Sequence, residues 1–335
     1  MNKKVFAVIL SVLLALALFA SCGKQETARV GGGIDDGVLK IVCTTFPQYD
    51  WVRQILGDEA ANAEVTYLQD SGADLHSYQA TAEDFVKIQE ADLFIYVGGT
   101  SDDWVPKALR DAPYAETVNL IEALGSNAKI EEAVEGAMEE EEEEEEYDEH
   151  VWLSLKNAQL LVGAITDKLK TLDPDHADTY LANAKAYSME LSQLDSEYAA
   201  LVAKAKVKTL LFADRFPFRY LCDDYGLKAY AAFSGCSAET EVSTETIAAL
   251  VKALDDNKLP AVVMTEASDG KIARTLFENS TVKPTDTVVI MNSLQSMTGE
   301  RAAAGETYLG VMRQNLTALQ TALGMGEKGN GTVDM

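Results

Sequence analysis

The sequence is poor in the residues on which most catalytic and nucleic-acid-binding chemistry rests. It has 3 histidines, His76, His150 and His176, and 4 cysteines, and only 28 Lys plus Arg stand against 54 Asp plus Glu, a formal net charge of −26. The cation deficit argues against a nucleic-acid partner, because a phosphate backbone needs clustered positive charge. An acidic field draws cations instead. No HExxH helix is present to hold a hydrolytic metal, and no GxSxG elbow to present a nucleophilic serine. The Gly98-Gly99 pair in "YVGGTSDD" lacks the GxGxxG pattern of a nucleotide loop. These absences point away from an enzyme. Beyond Cys22, the cysteines are Cys43, Cys222 and Cys236, an odd number matching neither a zinc ribbon nor a CxxC pair. Burial as small hydrophobes is the expected fate of all three. A Cys222–Cys236 bridge, or Cys236 as a metal ligand, are the alternatives.

What is present suffices for a large fold, since 335 residues with 47% hydrophobic content can bury the core of one large domain or two. The start, "MNKKVFAVILSVLLALALFASCGKQ", has the charged head, apolar stretch and small-residue end of a secretory signal over residues 1–21. "LFASC" resembles a lipobox, with Phe19 in place of the usual aliphatic residue, so Cys22 is expected to be lipidated. The Gly-rich, polar residues 22–37 then read as a flexible tether on an extracytoplasmic membrane surface.

From residue 38 the pattern alternates. "VLKIVC", "DLFIYVGG" and "TVNLI" read as short buried strands separated by helical segments, and "KTLLFAD", "LKAYAAF", "PAVVMTE" and "DTVVIMN" repeat the theme later. Such alternation predicts two α/β lobes with mainly parallel sheets, over 38–172 and 206–325, and residues 326–335 are expected to be a flexible tail. Between the lobes, Tyr180, Ala184, Tyr187, Leu191, Leu194, Tyr198 and Leu201 recur at steps of four and three, which places them on one face of a helix. With Asp173 as cap and Pro174 in the first turn, this linking helix is expected over 173–205, on the order of 45 Å long. The segment "MEEEEEEEEYDEHVWLS" sets eight glutamates, Glu139 to Glu146, just before His150. Mutual repulsion and the lack of an apolar face predict a surface loop over about 131–149 that gathers cations without selecting among them.

"TTFPQYDWVRQILGD", "GADLHSYQATAEDFVKIQEADLFIYVGG", "DEHVWLSLKNA", "LDPDHADTYLANAKAY" and "ETYLGVMRQNL" resemble, in order and spacing, the zinc and manganese solute receptors of ABC importers. The resemblance implies two α/β lobes joined by one long helix, a metal ion in the cleft between them, and delivery to a membrane permease by a monomeric carrier. It also implies a charged loop before the second histidine ligand. Zn²⁺ is the implied cargo and Mn²⁺ the alternative. His76 and His150 fall on the first two ligand positions, and both are expected to face a solvated cleft. Ala213 occupies the third and Asn292 is aligned with the fourth, so the shell must be completed elsewhere, by Asp214, Glu241 or Glu266, or the function has shifted to a diverged receptor or a surface adhesin. Arg215 next to the lost third ligand either positions one of these carboxylates or opposes a dication. His176 reads as a surface residue.

Overall fold

A computed structural model of the chain describes residues 38–137, 146–237, 241–281, 287–326 and 332–333. The expected signal, Cys22, the tether and most of the glutamate run lie outside these residues. Two sheets account for the strands. The first has the order β2-β1-β3-β4, built from β1 (Leu39–Cys43), β2 (Ala63–Tyr67), β3 (Leu93–Tyr96) and β4 (Glu116–Asn119). All its pairings are parallel, with Ile41 opposite Val65 on one side and Leu93 on the other. The second has the order β6-β5-β7-β8-β9, with β5 (Thr209–Arg215), β6 (Lys228–Phe233), β7 (Val262–Met264) and β8 (Val288–Ile290) parallel and β9 (Thr332–Val333) antiparallel at the edge, so Thr332 and Val333 of the expected flexible tail instead pair with β8. The central strands are continuous apolar runs because helices cover both sheet faces. β2 was not expected, since Glu64 and Thr66 interrupt "AEVTY" at an edge position where one face meets solvent.

Local chemistry sets the helix that follows β1. Gln48 Oε1 accepts the Thr44 and Thr45 amides (2.9 and 3.1 Å) and Pro47 sits in the first turn, so two backbone donors are met where the chain enters Phe46–Leu56. The linking helix runs over Ala177–Lys204, 28 residues and roughly 42 Å at 1.5 Å per residue. Its buried face is Tyr180, Ala184, Tyr187, Leu191, Leu194, Tyr198 and Val202; Leu201 is only partly buried, because a 3.6-residue period carries the stripe one position on at the end. The start also differs from expectation. A 3₁₀ turn, Pro174–His176, precedes the helix, and the Asp173 carboxylate accepts hydrogen bonds from Tyr180 Oη (2.6 Å) and His176 Nδ1 (2.8 Å) instead of capping backbone amides.

This helix is a spine. Near its start Asn183 Nδ2 donates to Ile55 O of the first lobe (3.0 Å), and near its end Tyr198 Oη donates to Met312 O of the second (2.6 Å). Other bonds cross between the lobes: Tyr67 Oη to Met297 O (2.8 Å), Trp152 Nε1 to Ser293 O (2.9 Å) and Tyr308 Oη to Trp152 O (2.6 Å). One apolar core runs from Leu39 and Ile41 of β1 through Leu191 and Tyr198 to Phe212 of β5 and Val289 of β8. Ligand sites in open parallel sheets form beyond the carboxyl ends of the strands, and the chain leaves β2, β5 and β6 toward such a place. No helix among the described residues is long and apolar enough to cross a membrane.

Candidate metal centre

The first donor lies beyond β2. Asp74 accepts the His76 amide (3.0 Å) and so initiates the 3₁₀ turn Leu75–Ser77, which turns the His76 ring inward. Nδ1 of that ring is 2.9 Å from Ser101 Oγ and 3.5 Å from Glu149 Oε2. Burial first, then the charges of His150 and Arg215, push His76 down to a pKa of about 3, so its ring is neutral and available as a ligand. The Gly98-Gly99 pair is explained here. Gly98 has φ +97°, and a Cβ on Gly99 would stand 2.2 Å from Glu149 Oε1, the atom that accepts the Ser101 amide at 2.7 Å. Close backbone approach to a buried carboxylate at Gly99, and to the Asn119 side chain at Gly98, is what these glycines permit.

The second donor precedes Val151–Leu153, which form a buried 3₁₀ turn where the apolar run left strand or core open. Asp148 Oδ1 accepts both the His150 amide and its Nδ1, each at 2.9 Å. Burial would lower the His150 pKa, but the Asp148 hydrogen bond and charge, joined by Glu149 and Glu131, outweigh it and hold the value above that of a free imidazole. His150, Asp148 and Glu149 are 0%, 2% and 2% exposed. The expectation that both histidines face a solvated cleft therefore fails for His150, because the apolar Val151-Trp152-Leu153 segment draws it into the core. Burial also raises Glu149 to a pKa of about 7, and its Oε2 has no hydrogen-bond partner.

The third candidate donor is a cysteine whose spacing alone predicts burial as a small hydrophobe. Cys236 follows β6, its amide bonded to Glu131 Oε1 (3.0 Å), and its Sγ joins His76 and His150 in a group whose donor atoms all lie within 4.8 Å of one another. Cys43 and Cys222 are buried and free, as small hydrophobes are, and Cys236 is not bridged to Cys222. The missing signal was spacing, since Cys236 and His150 meet only because the stem of the acidic loop crosses to the second sheet. Ile130 bridges Tyr147, Glu131 N donates to Glu146 O (2.7 Å), and Glu135 pairs with Tyr230 at the β6 edge.

The two Nε2 atoms are 3.3 Å apart. Two nitrogens bound to one tetrahedral Zn²⁺ at 2.0–2.1 Å would stand roughly 3.3–3.4 Å apart. Asp148 accepts from Nδ1 of His150, so that ring turns its Nε2 toward His76; with the Nδ1 proton of His76 assigned to the Ser101 and Glu149 side, both Nε2 atoms point into one space, where a metal ion would displace any proton held between them. A Cβ on Gly235 would come within 2.8 Å of Phe216 O and 3.2 Å of His150 Cε1. Gly235→Val is accordingly expected to displace His150 or Cys236 and weaken metal binding by about tenfold or more, measured by competition with a chromophoric chelator.

The other expected donors are not brought to this group. Asp214 accepts from the Thr265 hydroxyl, the Thr265 amide (3.3 Å) and the Arg215 amide (2.8 Å). Glu266 is held by Ser293 through its amide (2.7 Å) and hydroxyl (2.9 Å), and Glu241 is exposed. Asn292 Oδ1 accepts the Leu294 amide (2.8 Å) in its own turn. Arg215 makes no ion pair among the described residues with Asp214 or Glu241; its charge acts on His76. His176 pairs with Asp173 at 2.8 Å and Glu59 at 3.4 Å, away from the group.

Residues 41–322 match the family described as zinc-uptake complex component A, periplasmic. The chain is 37% identical over 321 residues to the zinc-binding lipoprotein AdcA of Streptococcus pneumoniae, covering 95% of this chain and 60% of that protein, so it spans about three fifths of that relative's length. It is 31% identical over 314 residues to the high-affinity zinc uptake system protein ZnuA of Bacillus subtilis, covering 91% and 94%. Among solved structures, the Zn(II)-bound ZnuA-like domain of Streptococcus pneumoniae AdcA is similar with a TM-score of 0.68 and 33% identity, over 86% of this chain and 99% of that one. These relatives are metal-binding transport components and not enzymes. With the match running from β1 to the last helix of the second lobe, the chain belongs to the ZnuA family of periplasmic zinc-uptake components.

Proposed function

We propose that the chain is the extracytoplasmic receptor of a zinc importer, which captures one Zn²⁺ on His76, His150 and Cys236 and delivers it to an ABC-class permease. The observation that carries this reading is the pair of Nε2 atoms 3.3 Å apart with Cys236 Sγ beside them. A thiolate and two imidazoles form a borderline-soft donor set, which favours Zn²⁺ over the harder Mn²⁺. Burial, then the charges of Glu131, Asp148 and Glu149, push the Cys236 thiol well above its ordinary pKa range, so the metal must displace its proton on binding. Zn²⁺ affinity therefore rises with pH. The lipid on Cys22 would keep this receptor at the membrane, and the glutamate run would raise the local cation concentration without selecting the metal.

Co²⁺ tests the ligand set, because it takes zinc sites and reports sulfur ligation by thiolate-to-metal charge-transfer absorption. The wild-type chain is expected to show that band at one equivalent of Co²⁺, Cys236→Ser to lose it, and Zn²⁺ to abolish it far more readily than Mn²⁺. Its absence from the wild type would remove Cys236 from the site.

A further inference from the structure

The stem of the acidic loop is two-stranded, and it carries the groups that hold two of the three donors. Glu131 N donates to Glu146 O (2.7 Å) and Asp148 N to Lys129 O (2.9 Å), with Ile130 bridging Tyr147 between them. From one strand Asp148 fixes the His150 ring; from the other the half-buried Glu131 turns its carboxylate to the Cys236 amide (3.0 Å). The stem is itself clamped to the helix Arg219–Tyr225 of the second lobe. Tyr220 Oη accepts the Lys129 amide (2.9 Å) and donates to Asp148 O (3.0 Å), while Arg219 donates to Ile130 O and pairs with Glu132 (2.9 Å). Glu131 thus stands on a backbone fixed from both sides, and Cys236 sits, only partly buried, on the turn after β6.

We propose, resting on the metal reading above, that Glu131 is the specificity-determining residue of this centre, a positioning residue that keeps the Cys236 sulfur beside the two imidazoles. The sulfur is what sets the centre apart from a plain histidine pair. Imidazoles accept many divalent ions, whereas a thiolate favours Zn²⁺ over the harder Mn²⁺. A hydrogen bond to the amide of a residue fixes its Cα, and so fixes the arc its side chain can sweep; the Glu131 bond does this for Cys236 Sγ. The negative charge of Glu131 is a separate effect. It acts on His150 as well as on Cys236, and it attracts any dication alike. Charge at this place supplies affinity, and reach to the amide supplies the choice of ion. With the sulfur swung away, two imidazoles leave Zn²⁺ half hydrated, a loss that Mn²⁺, at home with oxygen ligands, feels less.

Two conservative variants of the full chain separate reach from charge. Glu131→Asp keeps the charge and withdraws it by one methylene; Glu131→Gln keeps the reach and an oxygen acceptor but loses the charge. Zn²⁺ and Mn²⁺ affinities are measured by chelator competition, and sulfur ligation by the Co²⁺ charge-transfer band. Glu131→Asp is expected to lower the ratio of Zn²⁺ to Mn²⁺ affinity by about tenfold or more and to weaken the band. Glu131→Gln is expected to lower both affinities together and to keep the ratio and the band. An unchanged ratio in Glu131→Asp, even with both ions bound more weakly, or a ratio lost in Glu131→Gln, overturns the proposal and leaves the metal reading standing. A wild-type chain without the band, or Cys236→Ser with the wild-type ratio, removes the sulfur from the site and overturns both.

Discussion

Saturating Zn²⁺ raises the melting temperature of the wild-type chain by on the order of 10 °C, because a ligand at a thousand times its Kd stabilises the native state by about 4 kcal/mol. His76→Ala and Cys236→Ser each remove most of that increment. Both donors are only partly buried, so the metal-free proteins melt close to wild type. His150→Ala also removes the increment but costs metal-free stability, since it leaves the buried carboxylate of Asp148 without the Nδ1 donor. Asp214→Ala, Glu241→Ala and Glu266→Ala keep the metal-induced rise, because none of these side chains belongs to the donor group. Scanning calorimetry with and without metal separates the cases. A full shift in the variant lacking both His76 and His150 imidazoles would move the ion to the acidic loop or another surface.

Trp152→Ala is the most damaging single change expected outside the ligands, costing about 3–5 kcal/mol of metal-free stability. Trp152 is 0% exposed, its indole donates to Ser293 O of the second lobe, and its own carbonyl accepts from Tyr308. Removing it opens a cavity, leaves a buried acceptor unpaired, and takes away the ring that packs edge-to-face with His150 at 5.7 Å between centroids. Denaturant unfolding is expected to show the large loss, and chelator competition a fall in Zn²⁺ affinity in the same variant. Leu160→Ala, at a position 52% exposed, serves as the comparison and should stay within about 0.5 kcal/mol of wild type. Equal stability of the two variants would mean that the Trp152 bridge does not hold the lobes together.

Much of this was legible in the residues. The apolar runs of the central strands and the seven-residue stripe of the linking helix are local patterns, and burial on both faces of a sheet or one face of a helix writes itself into composition. β2 was not legible because an edge strand with Glu64 and Thr66 carries no such run. The Asp173 cap was misjudged because the same carboxylate had a better partner in Tyr180, seven residues away. Asn292 falls at the fourth ligand position by its place in the chain alone, and its amide oxygen accepts the Leu294 amide two residues later.

By itself the sequence determined the two α/β lobes, the helix between them, the acidic balance that favours cations, and the two histidines carried on recognisable motifs. Only the tertiary structure brings the candidate donors together. Cys236 stands 86 residues beyond His150 and joins it because the loop stem from Ile130 to Glu135 lies along the edge of β6, with Glu131 holding the Cys236 amide. Whether a carboxylate is free to bind a metal depends likewise on which neighbours reach its oxygens, and Thr265 reaches Asp214 from 51 residues away. Contacts of that range come from strand order and register, which no local stretch of residues encodes.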